Sequence, residues 1–449
     1  MNGIGNKKVY RLSEVQILAL GFAILIFVGA CLLTLPMSSS IGEGTNFLDA
    51  LFTSTSATCV TGLVTLDTGT HWSVFGQIII ITLIEIGGLG FMSFATFISV
   101  LVGRKITLKS RLLVQEAMNT FSIQGLVKMV KKVMLFTFVI QLVGALILST
   151  QFIPEFGVAK GIYYSVFSSI STFCNAGFDI FGNFKSYTGY YNNSIILLTV
   201  SSLIAIGGLG FTVLLELYYY KREKKLSLHT KVVLLITTIL IVGGTIGILI
   251  LEYDNAATLA DMNFKDKVVN SIVAAISPRT AGINSISTGE MTTAGIFLTI
   301  ILMFIGGSPG STAGGLKTST LGIIICTVFS VIRGREDVEI FGRRLPKGLV
   351  YKAITLLIIG MSLVIIVTII LTITEPDEGF LDLLYEATSA FGTVGLSTGV
   401  TQRLSSPGKV VIITLMYLGR VGPLTVVLAL LNNKKPSPYK YPEGKILIG

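Results

Sequence analysis

One short turn recurs four times along this 449-residue chain at nearly equal intervals. Its copies are Ser56-Ala-Thr-Cys-Val-Thr-Gly62-Leu, Ser171-Thr-Phe-Cys-Asn-Ala-Gly177-Phe, Ser277-Pro-Arg-Thr-Ala-Gly282-Ile and Ser389-Ala-Phe-Gly-Thr-Val-Gly395-Leu. In each, a serine stands five or six residues before a glycine, and a large apolar residue follows the glycine. A second series follows in register: Ile86-Gly-Gly-Leu-Gly90, Ile206-Gly-Gly-Leu-Gly210, Ile305-Gly-Gly-Ser-Pro-Gly310 and Leu418-Gly-Arg-Val-Gly422. Repetition on this scale fixes the architecture before any local signal does. Four copies of one unit around an axis bring four turns to one place.

The chain between these turns is built for lipid. Hydrophobic residues make up 51%, charged residues 13%, and the mean hydropathy is +0.79, which marks a polytopic membrane protein. Apolar runs occur at about Val15 to Leu35, Val74 to Val102, Val133 to Ile153, Ser194 to Tyr218, Val232 to Leu251, Thr292 to Ile305 continuing at Leu316 to Ile332, Leu349 to Ile373 and Val410 to Leu431. They give eight spans. Each pair is separated by a short, half-apolar helical segment that ends in the glycine turn. The predicted fold is an all-α polytopic membrane protein of four outer helix–pore helix–filter–inner helix repeats, arranged with pseudo-fourfold symmetry around one ion pore. Repeat 1 covers 12–103, repeat 2 132–220, repeat 3 230–332 and repeat 4 349–431. Residues 104–131, with Leu112, Val114, Met118 and Leu126 among charges, form an amphipathic cytoplasmic connector, and 432–449 a cytoplasmic tail.

Charge sets the orientation. Most of the 34 Lys and Arg fall at the N-terminus (Lys7, Lys8, Arg11), in Arg104 to Lys132, Lys221 to Lys231 and Arg333 to Lys352, and from Lys434 onward. These places alternate with the other loops, so both termini lie on one side, the cytoplasm by the positive-inside rule. The net charge of +10 is therefore a topology signal and not a nucleic-acid footprint. The opposite loops are acidic, with Glu252, Asp254, Glu375, Asp377 and Glu378, and favour approach of cations within a screening length of about 8 Å. Cys31, Cys59, Cys174 and Cys326 have no CxxC spacing, and His71 and His229 lie too far apart in topology to share a metal. The run from Val15 to Leu35 is too long for a signal-peptide core and reads as the first span.

A re-entrant helix that stops inside the membrane points the negative end of its dipole inward, and four such ends stabilise a cation between them. The turn beyond supplies backbone carbonyls that can replace a hydration shell. Glycine allows the backbone conformation this needs. The candidate filter is Val60, Thr61 and Gly62; Asn175, Ala176 and Gly177; Thr280, Ala281 and Gly282; Thr393, Val394 and Gly395. The inner-span glycines Gly87, Gly88, Gly90, Gly207, Gly208 and Gly210 are expected to allow close helix contact.

The third inner span carries IGGSPGSTAGGLKT from Ile305 to Thr318, which cannot propagate a helix, since glycine costs about 1 kcal/mol per position and proline about 3. Irregular chain at membrane depth is tolerated where it lines a water-filled path. The candidate gate is Gly306, Gly307, Ser308, Pro309, Gly310, Ser311, Thr312, Ala313, Gly314, Gly315 and Lys317, with Arg420 facing it as a barrier or a tether for a carbonyl-rich segment. In the first two copies the same position is expected to be a continuous helix. Arg279, inside the third turn, is expected to point behind the filter toward Glu386 or Asp382, and Lys317 to snorkel to the cytoplasmic side. The same stretch nearly fits the phosphate-loop pattern, but Leu316 intrudes between glycine and lysine and no strand precedes it.

At these residues the chain resembles the Trk/Ktr/HKT superfamily of potassium transporters, and within it the membrane subunit (KtrB type) of bacterial Ktr uptake systems. Four filter turns, IGGLGF, IGGSPGSTAGGLK and LGRVGP carry the resemblance over nearly the whole chain. It implies potassium uptake, often sodium-dependent, and no enzymatic activity. K+ is the ion at the filter carbonyls, with Na+ as a second ion. It further implies a homodimer in a bacterial plasma membrane, surrounded by lipid and controlled by a cytoplasmic KtrA-type ring that carries the nucleotide. Gly62 at the first turn, where sodium-conducting relatives have serine, favours potassium. Two other readings stay open: an alternating-access cation symporter, and a less selective Na+/K+ channel.

Overall fold

The computed structural model describes residues 14–90, 93, 94, 96, 97, 99, 112, 115, 126–422 and 442. Most of the predicted connector, the end of the first inner span, the tail and the N-terminal basic residues lie outside the described residues.

Fourteen α-helices occur among the described residues. Repeat 1 contributes α1 (Glu14–Leu33), α2 (Phe47–Cys59) and α3 (Val74–Leu89). Repeat 2 contributes α4 (Leu126–Phe156), α5 (Val158–Phe173), α6 (Ser194–Gly208) and α7 (Phe211–Glu223). Repeat 3 contributes α8 (Leu228–Glu252), α9 (Phe264–Ile276), α10 (Thr293–Phe304) and α11 (Thr318–Ile332). A two-residue hairpin, β1 (Glu339–Ile340) and β2 (Arg343–Arg344), leads into repeat 4: α12 (Lys347–Thr374), α13 (Phe380–Gly392) and α14 (Ser406–Val421). The fourfold order of outer, pore and inner helix predicted from sequence is the order observed.

The outer helices α1, α4, α8 and α12 are each long and apolar enough to cross a membrane alone. Their outward faces carry large exposed apolar side chains, among them Phe27, Leu142, Ile246 and Ile365, as surfaces that meet acyl chains do. The pore helices are the opposite. In α2 every residue from Phe52 to Cys59 is buried, although five of the eight are Ser or Thr. Some of their hydroxyls turn back onto backbone carbonyls, as Thr55 Oγ1 does to Leu51 O (2.7 Å) and Thr172 Oγ1 to Ser168 O (2.6 Å), which satisfies those groups in a dry interior. Thr53 Oγ1 and Thr58 Oγ1 are buried without a protein partner among the described residues.

Each inner helix starts on a side-chain cap: Ser73, Asn193, Thr292 and Ser405 accept from backbone N–H groups of α3, α6, α10 and α14. In repeats 3 and 4 a carboxylate at the end of the outer helix grips that cap. Glu252 accepts from Thr292 N (2.9 Å) and Thr292 Oγ1 (2.7 Å), and Glu375 accepts from Ser405 N (3.1 Å) and its hydroxyl.

The inner helices correct the sequence reading. Expected as continuous in the first two copies, they stop at matching glycines in repeats 1, 2 and 4: Gly90, Gly210 and Gly422, with φ of +81°, +93° and +94°. Between α6 and α7 the chain bends by 100°. The preceding glycines do serve close packing as expected. A methyl built on Gly87 would lie 2.0 Å from Thr58 O, on Gly207 2.0 Å from Phe173 O and on Gly419 2.1 Å from Phe391 O. In repeats 1, 2 and 4 the inner helix thus lies directly on the end of its own pore helix, and glycine is the residue that fits there.

Candidate ion pathway

The pore helices end where the four turns begin, and the backbone changes hand at once. Val60, Asn175, Thr280 and Thr393 have φ of +59°, +60°, +72° and +50°, and two residues later Gly62, Gly177, Gly282 and Gly395 have φ of +95°, +69°, +69° and +92°. Left-handed backbone is unusual for a β-branched residue, and strain of about 1–3 kcal/mol per site persists only where the surroundings impose it. Three of the four are β-branched. Only Asn175 gave a sequence signal of this conformation.

The four glycines close a ring. A methyl on Gly62 would meet Ala176 O at 2.6 Å, on Gly177 Ala281 O at 2.9 Å, on Gly282 Val394 O at 2.4 Å and on Gly395 Thr61 O at 2.2 Å. Each turn faces the carbonyl of the next repeat, in the order 1, 2, 3, 4 and back to 1. All twelve predicted filter residues are at or beside this ring. Above it opens a cavity of about 780 Å³ lined by the four glycines together with Asp67 and Asp179. Asp67 is braced there, accepting from Gly69 N (2.7 Å) and from Phe184 N of repeat 2 (2.9 Å).

The serine that opens each turn motif has a defined place that its recurrence alone did not reveal. Ser56 and Ser389 accept from the N–H of Gly62 (3.0 Å) and Gly395 (3.1 Å) through their hydroxyls. Ser171 and Ser277 instead donate to the carbonyls of Phe178 (2.6 Å) and Ile283 (2.6 Å), one residue beyond the glycine. The serine backbone carbonyls also accept from Thr61, Ala176, Ala281 and Val394 N–H at 2.8 to 2.9 Å. Each turn is therefore held from behind by one serine at two points.

Behind the turns the repeats differ. Glu386, fully buried in α13, accepts from Ser397 Oγ (2.8 Å) and Thr401 Oγ1, fixing the chain beyond Gly395. Glu85 of α3 accepts from Gln141 Nε2 (2.9 Å) and Cys174 Sγ (3.2 Å), beside the second turn. Arg279 departs from expectation. Its buried guanidinium reaches Thr237 Oγ1 on α8 (3.5 Å) and forms no ion pair with Glu386 or Asp382; the Glu386 carboxylate takes two hydroxyl donors instead.

Below the ring, the segment between α10 and α11 forms a crossbar whose two ends are pinned together: Gly306 N donates to Leu316 O (2.9 Å) and Thr318 N to Gly307 O (3.1 Å). Its middle reaches repeat 2. Ser308 N donates to Gly208 O (2.9 Å), Phe211 N donates to Gly310 O (2.8 Å), Pro309 O lies against Gly210, and Thr312 Oγ1 donates to Phe173 O (3.3 Å) and Gly207 O (3.2 Å). Ser311 Oγ closes a local turn onto Ser308 O (2.6 Å) and accepts from Ala313 N (3.3 Å). On the other side Gly314 packs on Thr393 and Gly315, at φ +63°, on Gly392.

Arg420 joins this crossbar to the rest. It donates to Thr312 O, and to Gly87 O and Gly88 O of repeat 1 (3.2 Å to Gly88). All its acceptors are backbone carbonyls, one in the crossbar and two at the end of α3. Lys317 does not snorkel. Its ammonium folds back on the crossbar, donating to Ala313 O (2.7 Å) and Gly314 O (3.4 Å), because those carbonyls have no helix to satisfy them.

A ring of inward-turned backbone between dipole-bearing helix ends, under a wide vestibule and above a pinned crossbar, defines a helical membrane protein built around one cation pathway. The TrkH family of cation transport proteins matches over residues 13–438, and the chain belongs to that family. It is 47% identical to the potassium/sodium uptake protein NtpJ of Enterococcus hirae and 42% identical to the Ktr system potassium uptake protein B of Bacillus subtilis, in both cases over 98% of each chain. The crystal structure of the potassium transporter TrkH from Vibrio parahaemolyticus superposes with a TM-score of 0.72 at 17% identity, covering 96% of this chain and 87% of that one, so the fold is shared.

Proposed function

We propose that this chain is the ion-conducting subunit of a potassium uptake system. The observation that carries the reading is the closed ring of Gly62, Gly177, Gly282 and Gly395, each set against a carbonyl of the next repeat. Carbonyls so placed, with four helix dipoles behind them, suit a dehydrated monovalent cation. The relatives named for potassium, and for potassium and sodium, support K+ as cargo and Na+ as a second ion. The crossbar from Gly306 to Lys317, tethered by Arg420, is the gate. The basic segments support both termini inside. With the bacterial relatives named as uptake proteins, one of them of a Ktr system, the reading includes a homodimer in a bacterial plasma membrane and a nucleotide held by a separate KtrA-type ring.

Gly282→Ser tests the filter. The added side chain would collide with Val394 O, and K+ uptake relative to Na+ in transport-deficient cells is expected to fall about tenfold, the equivalent of about 1.4 kcal/mol. An unchanged ratio overturns the assignment.

A further inference from the structure

A second cavity, of about 580 Å³, opens at the junction of α7 and α8, far in sequence from the filter and from the crossbar. Four cations line it: Lys224, Lys225 and Lys231 from the junction, and Arg343 from the hairpin that leads into repeat 4. Among the described residues none of the four pairs with a carboxylate, although Arg344 and Arg335 nearby do. The two acids of the lining are Glu216 and Glu223, and Glu216 is already committed, accepting from Ser227 N (3.0 Å) and Thr230 Oγ1 (2.7 Å).

The rim of the cavity is aromatic. Lys231 Nζ stands 5.9 Å from the centre of the Phe341 ring, and Phe341 at the hairpin tip is 54% exposed. On the other flank Tyr220 lines the cavity and is 47% exposed. The junction joins one apolar span to the next, on the side where the basic segments lie. Aromatic rings at that level mark a membrane–water boundary, and unpaired Lys and Arg there attract anionic headgroups.

We infer that this cavity holds the phosphate of an anionic phospholipid, with Lys224, Lys225, Lys231 and Arg343 as its ligands and the aromatic rim along its acyl chains. A soluble phosphate compound fits less well. The first turn of α8 offers no free cradle, because Ser227 Oγ already accepts from Thr230 N, and the exposed aromatic rim would gain nothing from a ligand without an apolar part. The bound lipid would tie the α7–α8 junction to the hairpin. Because Phe211 N at the start of α7 donates to Gly310 O, the same element touches the crossbar.

The test uses the full chain in neutral detergent, with native mass spectrometry and thermal midpoint as readouts, neither of which depends on transport. Phosphatidylglycerol should bind and raise the midpoint where phosphatidylcholine and inorganic phosphate do not. Lys225→Gln with Arg343→Gln should weaken phosphatidylglycerol binding at least fivefold, while Lys128→Gln with Lys131→Gln, which removes equal charge from the start of α4, should leave it within twofold. Equal loss in both double variants reduces the effect to bulk charge and overturns the site. Binding of inorganic phosphate as tight as that of the lipid overturns the lipid assignment, as does full binding in the first variant.

Discussion

The ring and the crossbar solve different problems with the same repeated unit. At the ring the four turns are near copies: each begins with a left-handed residue, ends with a left-handed glycine and is held by one serine. Below it the inner helices share only the place where they stop. Repeats 1, 2 and 4 stop there at a single glycine of positive φ, whereas repeat 3 inserts a segment that contacts repeat 2 through Gly207 and Gly208, repeat 4 through Gly392 and Thr393, and both 4 and 1 through Arg420. Coordination of one ion on an axis favours equal contributions from every side. Blocking that axis needs one element only, since four could not occupy it together.

The largest expected effect comes from breaking the ring where it is tightest. Gly395→Ala puts a methyl 2.2 Å from Thr61 O in a backbone at φ +92°, and combined collision and strain should lower K+ over Na+ preference by about tenfold or more in ion uptake assays. Arg420→Gln should act on the other region. With the tether to Thr312, Gly87 and Gly88 removed, K+ flux in liposomes is expected to rise about fivefold, roughly 1 kcal/mol, while the ratio of K+ to Na+ flux stays fixed. A ratio that falls with rising flux would mean that Arg420 supports the ring. The smallest effect should come from the serines. Ser389→Ala removes one neutral hydrogen bond to Gly395 N–H and should shift selectivity by about 1 kcal/mol at most, with Ser56→Ala matching it because the two turns are built alike.

Much of the ring was legible because its cause is local and repeated. The glycines, the preceding serines and the apolar residues that follow stand at fixed spacing, so the four turns and the helices around them could be placed by sequence alone. The strained residues were not legible: nothing local tells Val60 or Thr393 to adopt a left-handed backbone, which is imposed by the closure of the ring. Gly90 and Gly210 were read as packing residues because Gly87 and Gly207 are, and only the position of the neighbouring repeat separates the two uses. By charge alone Arg279 points to a carboxylate and Lys317 to the cytoplasmic side, yet beside interrupted helices Lys317 finds carbonyls and Arg279 a hydroxyl nearer than any carboxylate. Arg420 was placed correctly beside the crossbar, but its reach across to Gly87 and Gly88 depends on the arrangement of all four repeats.

The separation of the two regions is tested most directly by removing residues 308–313 and measuring K+ and Na+ flux in liposomes of the purified chain. Flux that rises while the K+ to Na+ ratio holds is the predicted result, because the ring is intact and the crossbar is gone. Flux at background from a folded protein, or a ratio that collapses with the deletion, would contradict it.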